Sequence, residues 1–142
     1  MKSTNPFILI LIFSFLAGIH FSWAMGSSWG FMAALPTTTD GDLLFRPTPA
    51  ESATVGAGFM AFAIYYLIQT NWIAIELPAK MNRIIGWIIP CIFLLRAIGD
   101  FKYVGIFKPP MQTEFAQADF FFYSPLCLLI ALLGFVIVKP NN

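Results

Sequence analysis

Charged residues are scarce in this chain. Lys, Arg, Asp and Glu make up 11% of its 142 residues, whereas roughly a quarter of the residues in an ordinary soluble domain are charged. So few charges cannot cover the surface of a water-soluble fold of this length, which excludes a soluble globular protein. The eight basic and seven acidic residues are nearly balanced, so no basic surface is available for the phosphates of a nucleic acid. Nucleic-acid binding is therefore excluded.

Cysteine and histidine are also scarce, which limits the redox and metal chemistry available. Cys91 and Cys127 form no Cys-x-x-Cys pair, so both are interpreted as small apolar core residues. His20 is the single histidine, which excludes bis-histidine ligation of a haem within one chain. Asp40 and Asp42 flank a glycine, but the other ligands of a calcium loop are missing. The sequence therefore predicts no metal site and no cofactor.

Hydrophobic residues, by contrast, make up 58% of the chain, and the mean hydropathy is +0.77. The charged residues divide the sequence into four long apolar stretches. A membrane-spanning helix needs about 20 apolar residues, and lipid excludes open backbone that lacks hydrogen bonds. The sequence therefore predicts an all-α integral membrane protein, in which residues 1–142 form one domain, a four-helix transmembrane bundle. The predicted helices lie near residues 6–25, 49–72, 81–101 and 119–138.

Two of these stretches contain local signals for helix geometry. Thr48, Pro49 and Glu51 have the spacing of a capping box with proline at the first helical position. Pro125 removes a backbone donor in the fourth stretch, so the chain forms either a kinked long helix or a shorter one that begins there. The kinked long helix is preferred, because a helix starting at Pro125 would be only about 22 Å long.

Lysine and arginine near the ends of the apolar stretches predict how the chain crosses the membrane, because they favour the cytoplasmic side. The two groups are Lys2, Lys80, Arg83 and Lys139 on one side, and Arg46, Lys102 and Lys108 on the other. The larger group predicts that both termini are cytoplasmic and that the loops 26–50 and 102–118 lie outside.

The first stretch also has features of a cleavable secretory signal peptide. Lys2 precedes an apolar run, and Ser22 and Ala24 are small residues at the spacing of a cleavage site. However, the uncharged sequence continues well past Ala24, and Trp23 and Trp29 stand where an interfacial aromatic belt is expected. A retained first helix is therefore preferred to cleavage.

Small residues recur every four positions along the first two predicted helices. They are Ser14, Gly18, Ser22 and Gly26 on the first helix, and Ala53, Ala57 and Ala61 on the second. This spacing lets helix backbones approach closely in lipid. Packing within the bundle is the preferred interpretation, and a dimer face is the alternative.

Polar side chains within the apolar stretches share one depth in the membrane. At 1.5 Å per residue, His20 and Arg96 each lie about 20 Å from the cytoplasmic ends of their helices. On the fourth helix, which descends from the outer side, Asp119 lies near the surface, with Tyr123 and then Cys127 on successive turns. These groups are therefore expected in the outer third of the bundle.

An arginine at this depth needs a carboxylate, and two are within reach. Asp100 follows Arg96 by four residues along the helix, and Asp119 could pair with Arg96 across helices. We therefore expect an outward-opening polar cluster or ligand pocket that contains His20, Trp23, Arg96, Asp100, Asp119 and Tyr123, with Trp29 and Tyr103 as further walls. Two alternatives remain open: a satisfied network that only locks the helices together, and an Arg96 that extends to the lipid headgroups.

Three stretches of the sequence look familiar: HFSWAMGSSWG with the following ALP, LLRAIGDFKYVGIFK, and FAQADFFFYSPLCLLIA. They resemble a family of small four-helix bacterial membrane proteins catalogued only as a domain of unknown function. The resemblance implies four helices and a bacterial origin, hence the bacterial cytoplasmic membrane, but no activity, substrate or cofactor. It also implies that the family pattern includes His20, Trp23, Arg96, Gly99, Asp100, Asp119, Tyr123 and Pro125.

The sequence supports three functional hypotheses. The first is a non-catalytic membrane module that accompanies another membrane protein or a second copy of itself. The second is a binder or transporter of an anionic lipid headgroup, a quinone or a small metabolite, with Arg96 as the anion ligand. The third is a membrane enzyme for a lipid-soluble substrate, in which His20 is the acid or base, oriented by Asp119 or Asp100, and Tyr123 donates to developing negative charge.

Overall fold

The computed structural model describes residues 6–70 and 72–138. These ranges contain no β-strand, and they contain four helices that are long and apolar enough to cross a membrane. The helices are α1 at Phe7–Ala24, α2 at Pro49–Ile68, α3 at Ala79–Ile98 and α4 at Glu114–Val138. The predicted all-α class with four membrane-capable helices is confirmed.

Helix α2 begins as predicted and ends earlier than predicted. The Thr48 side chain accepts from the Glu51 N–H at 3.3 Å, and the Glu51 carboxylate accepts from the Thr48 N–H at 2.6 Å, which completes the capping box. The helix ends at Ile68 instead of near residue 72. The Thr70 N–H donates to the Leu67 carbonyl at 3.1 Å, and the Thr70 hydroxyl donates to the same carbonyl at 2.7 Å. A bond to the third preceding residue tightens the last turn of a helix and satisfies a terminal carbonyl.

Helix α3 is shifted towards the N-terminus relative to the prediction of 81–101. It begins at Ala79, directly after Pro78, and ends at Ile98. Gly99 stops it, because its φ of 82° and ψ of −166° lie in a region that only glycine adopts readily.

Helix α4 begins at Glu114 instead of near residue 119, because the Thr113 hydroxyl caps it by accepting from the Ala116 N–H at 3.2 Å. A wide π-helical turn spans Asp119–Tyr123, directly before the segment that contains Pro125. The 25-residue helix is therefore continuous through Pro125, so the long helix is formed and not the shorter one that would begin at Pro125. At 1.5 Å per residue it is about 37 Å long, enough to cross the hydrocarbon core.

The helices pack mainly as two pairs, α1 with α2 and α3 with α4, around one hydrophobic core. Phe13 of α1 joins the pairs, because its ring centroid lies 5.8 Å from that of Tyr66 and 5.3 Å from that of Phe93. Buried residues of all four helices complete the core: Leu9, Phe13, Ala63, Tyr65, Tyr66, Ile89, Phe93, Ile130 and Ala131.

The small-residue stripes mostly do not pack within the chain, so the preferred interpretation of them is wrong. Ser14 and Gly18 of α1, and Ala57 and Ala61 of α2, are all exposed. The close approach of α1 to α2 is made instead at Gly56, where a Cβ would lie 3.0 Å from the ring of Phe21. The spacing of small residues fixes their common face, but the large buried side chains decide which face meets the core.

The ends of the four helices define two faces of the molecule. Residues 25–48 and 99–113 connect helix ends on one face, termed the loop face, where the 3₁₀ turn Met32–Ala34 contacts the start of α4. On the opposite face, the Gln69 amide donates to the Asn82 side chain at 2.8 Å. Two lysines used to predict the orientation, Lys2 and Lys139, lie outside the described residues.

Candidate functional site

The fully buried carboxylate of Asp119 is the centre of the polar groups on the loop face. Its Oδ1 accepts from Arg96 Nη2 at 2.7 Å and from the Ser124 hydroxyl at 3.2 Å. Its Oδ2 accepts from the Gly105 N–H at 2.8 Å and from the Lys108 ammonium. These five residues are termed the Asp119 cluster. They join α3, the loop that follows it, and α4.

Local backbone geometry brings the donors of the cluster to Asp119. Ser124 follows Asp119 by five residues, the spacing of a π-helical turn. Gly99 and Gly105 both have positive φ, of 82° and 97°, and the Ile106 N–H donates to the Ala97 carbonyl at 2.9 Å. The loop therefore folds back against the end of α3 and directs the Gly105 N–H towards α4.

Asp100 does not pair with Arg96, so the predicted pair along the helix is wrong. Its carboxylate accepts instead from the N–H groups of Lys102, Tyr103 and Val104, at 2.9, 2.8 and 3.0 Å. The reason is that α3 ends before Asp100, so the two residues are no longer one helical turn apart. Desolvation raises the pKa of Asp100, but the backbone donors together hold it below its ordinary value.

His20 and Trp23 lie on the other helix pair. The His20 Nδ1 is 2.9 Å from the Leu16 carbonyl, and its ring packs against Trp23 and Phe59, with centroids 4.8 and 5.1 Å away. The Trp23 indole donates to the Trp29 carbonyl at 2.7 Å. Within residues 6–70 and 72–138, neither side chain has a hydrogen bond, ion pair or ring contact with the Asp119 cluster.

The six predicted site residues therefore do not form one pocket. Arg96 and Asp119 form an ion pair, and Tyr123 ends the π-helical turn that begins at Asp119. Asp100 binds its own loop, while His20 and Trp23 belong to the α1–α2 pair. Equal depth in the membrane places residues at one level, but the pairing of helices decides which of them touch.

Lys108 is the member of the site that sequence reasoning missed. The sequence places it among the loop charges, yet its side chain is 4% exposed and also donates to the Gly105 carbonyl at 3.2 Å. The two residues before it, Ile106 and Phe107, are large and apolar, which indicates that Lys108 lies in an apolar segment. A lysine in an apolar segment requires a carboxylate partner, as an ionisable residue inside a membrane does.

The cluster is poorly suited to bind a metal ion. Its one carboxylate is taken up by two cations, which would repel a third. Across the described parts of the chain, no group of three or more His, Cys, Asp or Glu is placed to hold a metal. Two cations and one anion leave a formal charge of +1, and the Arg96 Nη1 is buried with no hydrogen-bond partner among the described residues.

Two open grooves lie elsewhere on the loop face, and neither is lined by Arg96, Asp119 or Tyr123. The first, of about 330 Å³, lies between the long loops and the start of α4, beside Asp40 and Glu114. The second, of about 260 Å³, lies where α1 ends and α2 begins. Its lining residues are Trp23, Gly26, Ser27, Ser28, Phe31, Arg46, Pro47, Pro49 and Ser52.

Comparison with known proteins gives one result. Searches of curated proteins and of solved structures find no match. The sequence profile of a family described as "Protein of unknown function (DUF3995)" matches residues 13–134. That span contains every residue of the Asp119 cluster together with His20 and Trp23. The resemblance to a family catalogued as a domain of unknown function is therefore confirmed, and the chain belongs to the DUF3995 family.

Proposed function

We propose that this protein is a non-catalytic membrane module, in which the Asp119 cluster fixes the arrangement of the loop face. The observation that carries this proposal is the saturation of the Asp119 carboxylate by four donors from three chain segments. A carboxylate held in this way can neither take a proton from a substrate nor bind a ligand. It can, however, hold α3, the following loop and α4 in one geometry.

The environment of His20 supports the same proposal over an enzymatic role. A histidine that acts as acid or base is usually oriented by a carboxylate or a similar partner. The His20 Nδ1 contacts the carbonyl of Leu16 on its own helix, and the ring packs against two aromatic rings. No carboxylate or nucleophile among the described residues contacts this ring, so its surroundings are those of a packed aromatic residue. The proposed module needs no cofactor.

The proposal places the protein in the cytoplasmic membrane of a bacterium, with both termini in the cytoplasm and the loop face outside. The distribution of basic residues supports this orientation more clearly once Lys108 is removed from the count, because it is buried against Asp119. The exposed basic residues on the loop face are then Arg46 and Lys102, against four basic residues that the sequence places at the other ends of the helices: Lys2, Lys80, Arg83 and Lys139. Lysine and arginine favour the cytoplasmic side.

The proposed partner is another membrane protein or a second copy of this chain, and α1 offers the surface for it. Ser14 and Gly18 are exposed one helical turn apart, and a Cβ on Gly18 would meet no atom within 4 Å. Small residues at this spacing let a second helix approach closely in lipid.

Replacing Gly18 with Leu is expected to weaken this association and to leave the fold intact. The added side chain points away from the core, so it blocks a second helix without creating a clash inside the chain. The measurement is the distribution of oligomers and complexes after cross-linking in native membranes. Gly58→Leu is the control, because Gly58 also has no atom within 4 Å of its Cβ position but lies on α2. An unchanged distribution for Gly18→Leu would remove α1 as the partner surface.

Replacing His20 with Phe tests whether the module is catalytic. Phe retains an aromatic ring against Trp23 and Phe59 but carries no proton for catalysis, so the variant is expected to function like the wild type. The measurement compares the membrane proteome and lipid composition of a deletion strain complemented with the wild type, with His20→Phe or with an empty vector. If His20→Phe is present at normal levels and still resembles the empty vector, the non-catalytic proposal is wrong and an acid–base role is supported.

A further inference from the structure

We infer that the groove where α1 ends and α2 begins binds a phosphate group at the membrane surface. It is termed the Arg46 groove. Among its lining residues are one cation, three serines and two aromatic rings, and no carboxylate: Trp23, Ser27, Ser28, Phe31, Arg46 and Ser52. This site is separate from the Asp119 cluster, and the inference goes beyond the proposed function without resting on it.

Arg46 is a cation without an intramolecular partner. No carboxylate in the described parts of the chain lies within 4.0 Å of its guanidinium, and it has no side-chain hydrogen bond there. Arg96 and Lys108, in contrast, are both engaged by Asp119. The planar guanidinium presents two parallel donors that match the oxygen atoms of a phosphate.

Ser52 supplies the second, independent indication of a ligand. The residue is 4% exposed and lines the groove, yet its hydroxyl has no hydrogen bond with any described residue. Two other hydroxyls nearby bond to their own helices: Ser22 donates to the Ile19 carbonyl at 2.7 Å, and Thr54 to the Ala50 carbonyl at 2.8 Å. The Ser52 hydroxyl therefore keeps its donor free, and it can donate to a group that enters the groove.

The other serines add donors at the rim. The Ser27 hydroxyl oxygen accepts from the Trp29 N–H at 3.3 Å, which leaves its proton free to donate. The Ser28 hydroxyl makes no hydrogen bond to another described residue, and Ser28 is exposed. The N-terminus of α2 is not the source of binding, because Glu51 already accepts from the Thr48 N–H.

The position of the groove favours the phosphate of a lipid headgroup. It lies between the end of α1 at Ala24 and the start of α2 at Pro49, where the apolar spans end. The rings of Trp23 and Phe31 meet edge to face with centroids 5.5 Å apart and form an apolar wall. A volume of about 260 Å³ lies just below the range of cavities that hold drug-sized ligands, which suits a headgroup. Free phosphate has the same chemistry and is the second source.

The test uses the full-length protein, purified in detergent and stripped of lipid. One arm titrates dihexanoyl-phosphatidylglycerol and counts bound lipid by native mass spectrometry. The other arm measures binding of inorganic phosphate by equilibrium dialysis. Loss of a charge-assisted, two-donor contact predicts that Arg46→Gln weakens lipid binding at least tenfold. Ser52→Ala is expected to weaken it about fivefold through the loss of one hydrogen bond to a charged group. Lys102→Gln, which removes an exposed cation from the same face outside the groove, is expected to change it less than twofold.

Each outcome decides the inference. One lipid per chain, weakened by Arg46→Gln and by Ser52→Ala but not by Lys102→Gln, supports a headgroup site. Binding of inorganic phosphate with the same dependence on the variants supports the site and identifies free phosphate as its source. Absence of binding in both arms, or equal weakening by Arg46→Gln and Lys102→Gln, overturns the inference. If Arg46→Gln does not fold, the comparison of Ser52→Ala with Lys102→Gln tests the inference instead.

Discussion

Replacing Asp119 with Ala is expected to lower the free energy of unfolding by about 3–5 kcal/mol, the range measured when one partner of a buried ion pair is removed. The reason is that the substitution leaves two cations, Arg96 and Lys108, without an anion in a site where the carboxylate was fully buried. It also leaves the Gly105 N–H and the Ser124 hydroxyl without their acceptor. The measurement is unfolding in mixed micelles with increasing sodium dodecyl sulfate, followed by tryptophan fluorescence.

Two further variants separate the role of the cluster from a general effect of charge. Asp42→Ala removes an exposed carboxylate on the same face and should change the unfolding free energy by no more than about 0.5 kcal/mol. Combining Arg96→Met, Lys108→Met and Asp119→Leu should recover most of the lost stability, since apolar residues of similar size often replace a buried ion network without loss. An Asp119→Ala protein as stable as Asp42→Ala would contradict a stabilising role for the cluster.

Replacing Gly99 with Ala is expected to destabilise the protein by about 3 kcal/mol or more. A Cβ at this position would lie 1.8 Å from the Val104 carbonyl oxygen, which is backbone and cannot move aside cheaply. The φ of 82° is also strained for any residue with a side chain. The loop would therefore have to leave α3 and take Lys108 away from Asp119.

This displacement can be measured directly. Lys108 should resist acetylation by a water-soluble reagent in the wild type, because its side chain is 4% exposed, and should become reactive in Gly99→Ala. Gly58→Ala is the matched control. It adds the same methyl group to a helical glycine with no atom within 4 Å, and should stabilise the protein by about 0.5–1 kcal/mol. A Gly99→Ala protein with a protected Lys108 would show that the loop tolerates a side chain there.

The helices could be predicted from the sequence because a membrane-spanning helix is recognised from the mean hydropathy of about 20 residues. A few polar residues within that length do not change the mean enough to hide the helix. Their ends could not be predicted as well. Thr113 starts α4 through a single side-chain hydrogen bond, whereas the Thr54 hydroxyl forms one inside α2 without marking an end of that helix. The exception was Thr48, where the capping box combines two reciprocal bonds with a neighbouring proline.

The site was harder to predict than the helices because it depends on lateral contacts. That Arg96 has a carboxylate partner could be predicted, because a cation in a membrane segment needs one, but Asp100 and Asp119 were both within reach. The choice between Asp100 and Asp119 depended on where α3 ends, and that is set by the backbone of Gly99. His20 shares its depth with Arg96, but α1 packs against α2 whereas α3 packs against α4. No periodicity within a single helix contains that information.

The position of Asp119 in the chain has a consequence for biosynthesis. Its two cationic partners are synthesised first, because Arg96 precedes it by 23 residues and Lys108 by 11. A nascent chain that has been synthesised only as far as α3 and the following loop therefore contains Arg96 and Lys108 without the carboxylate that pairs with them. Their neutralisation waits for the start of α4, so the buried ion network can form only after the chain has been extended past residue 119.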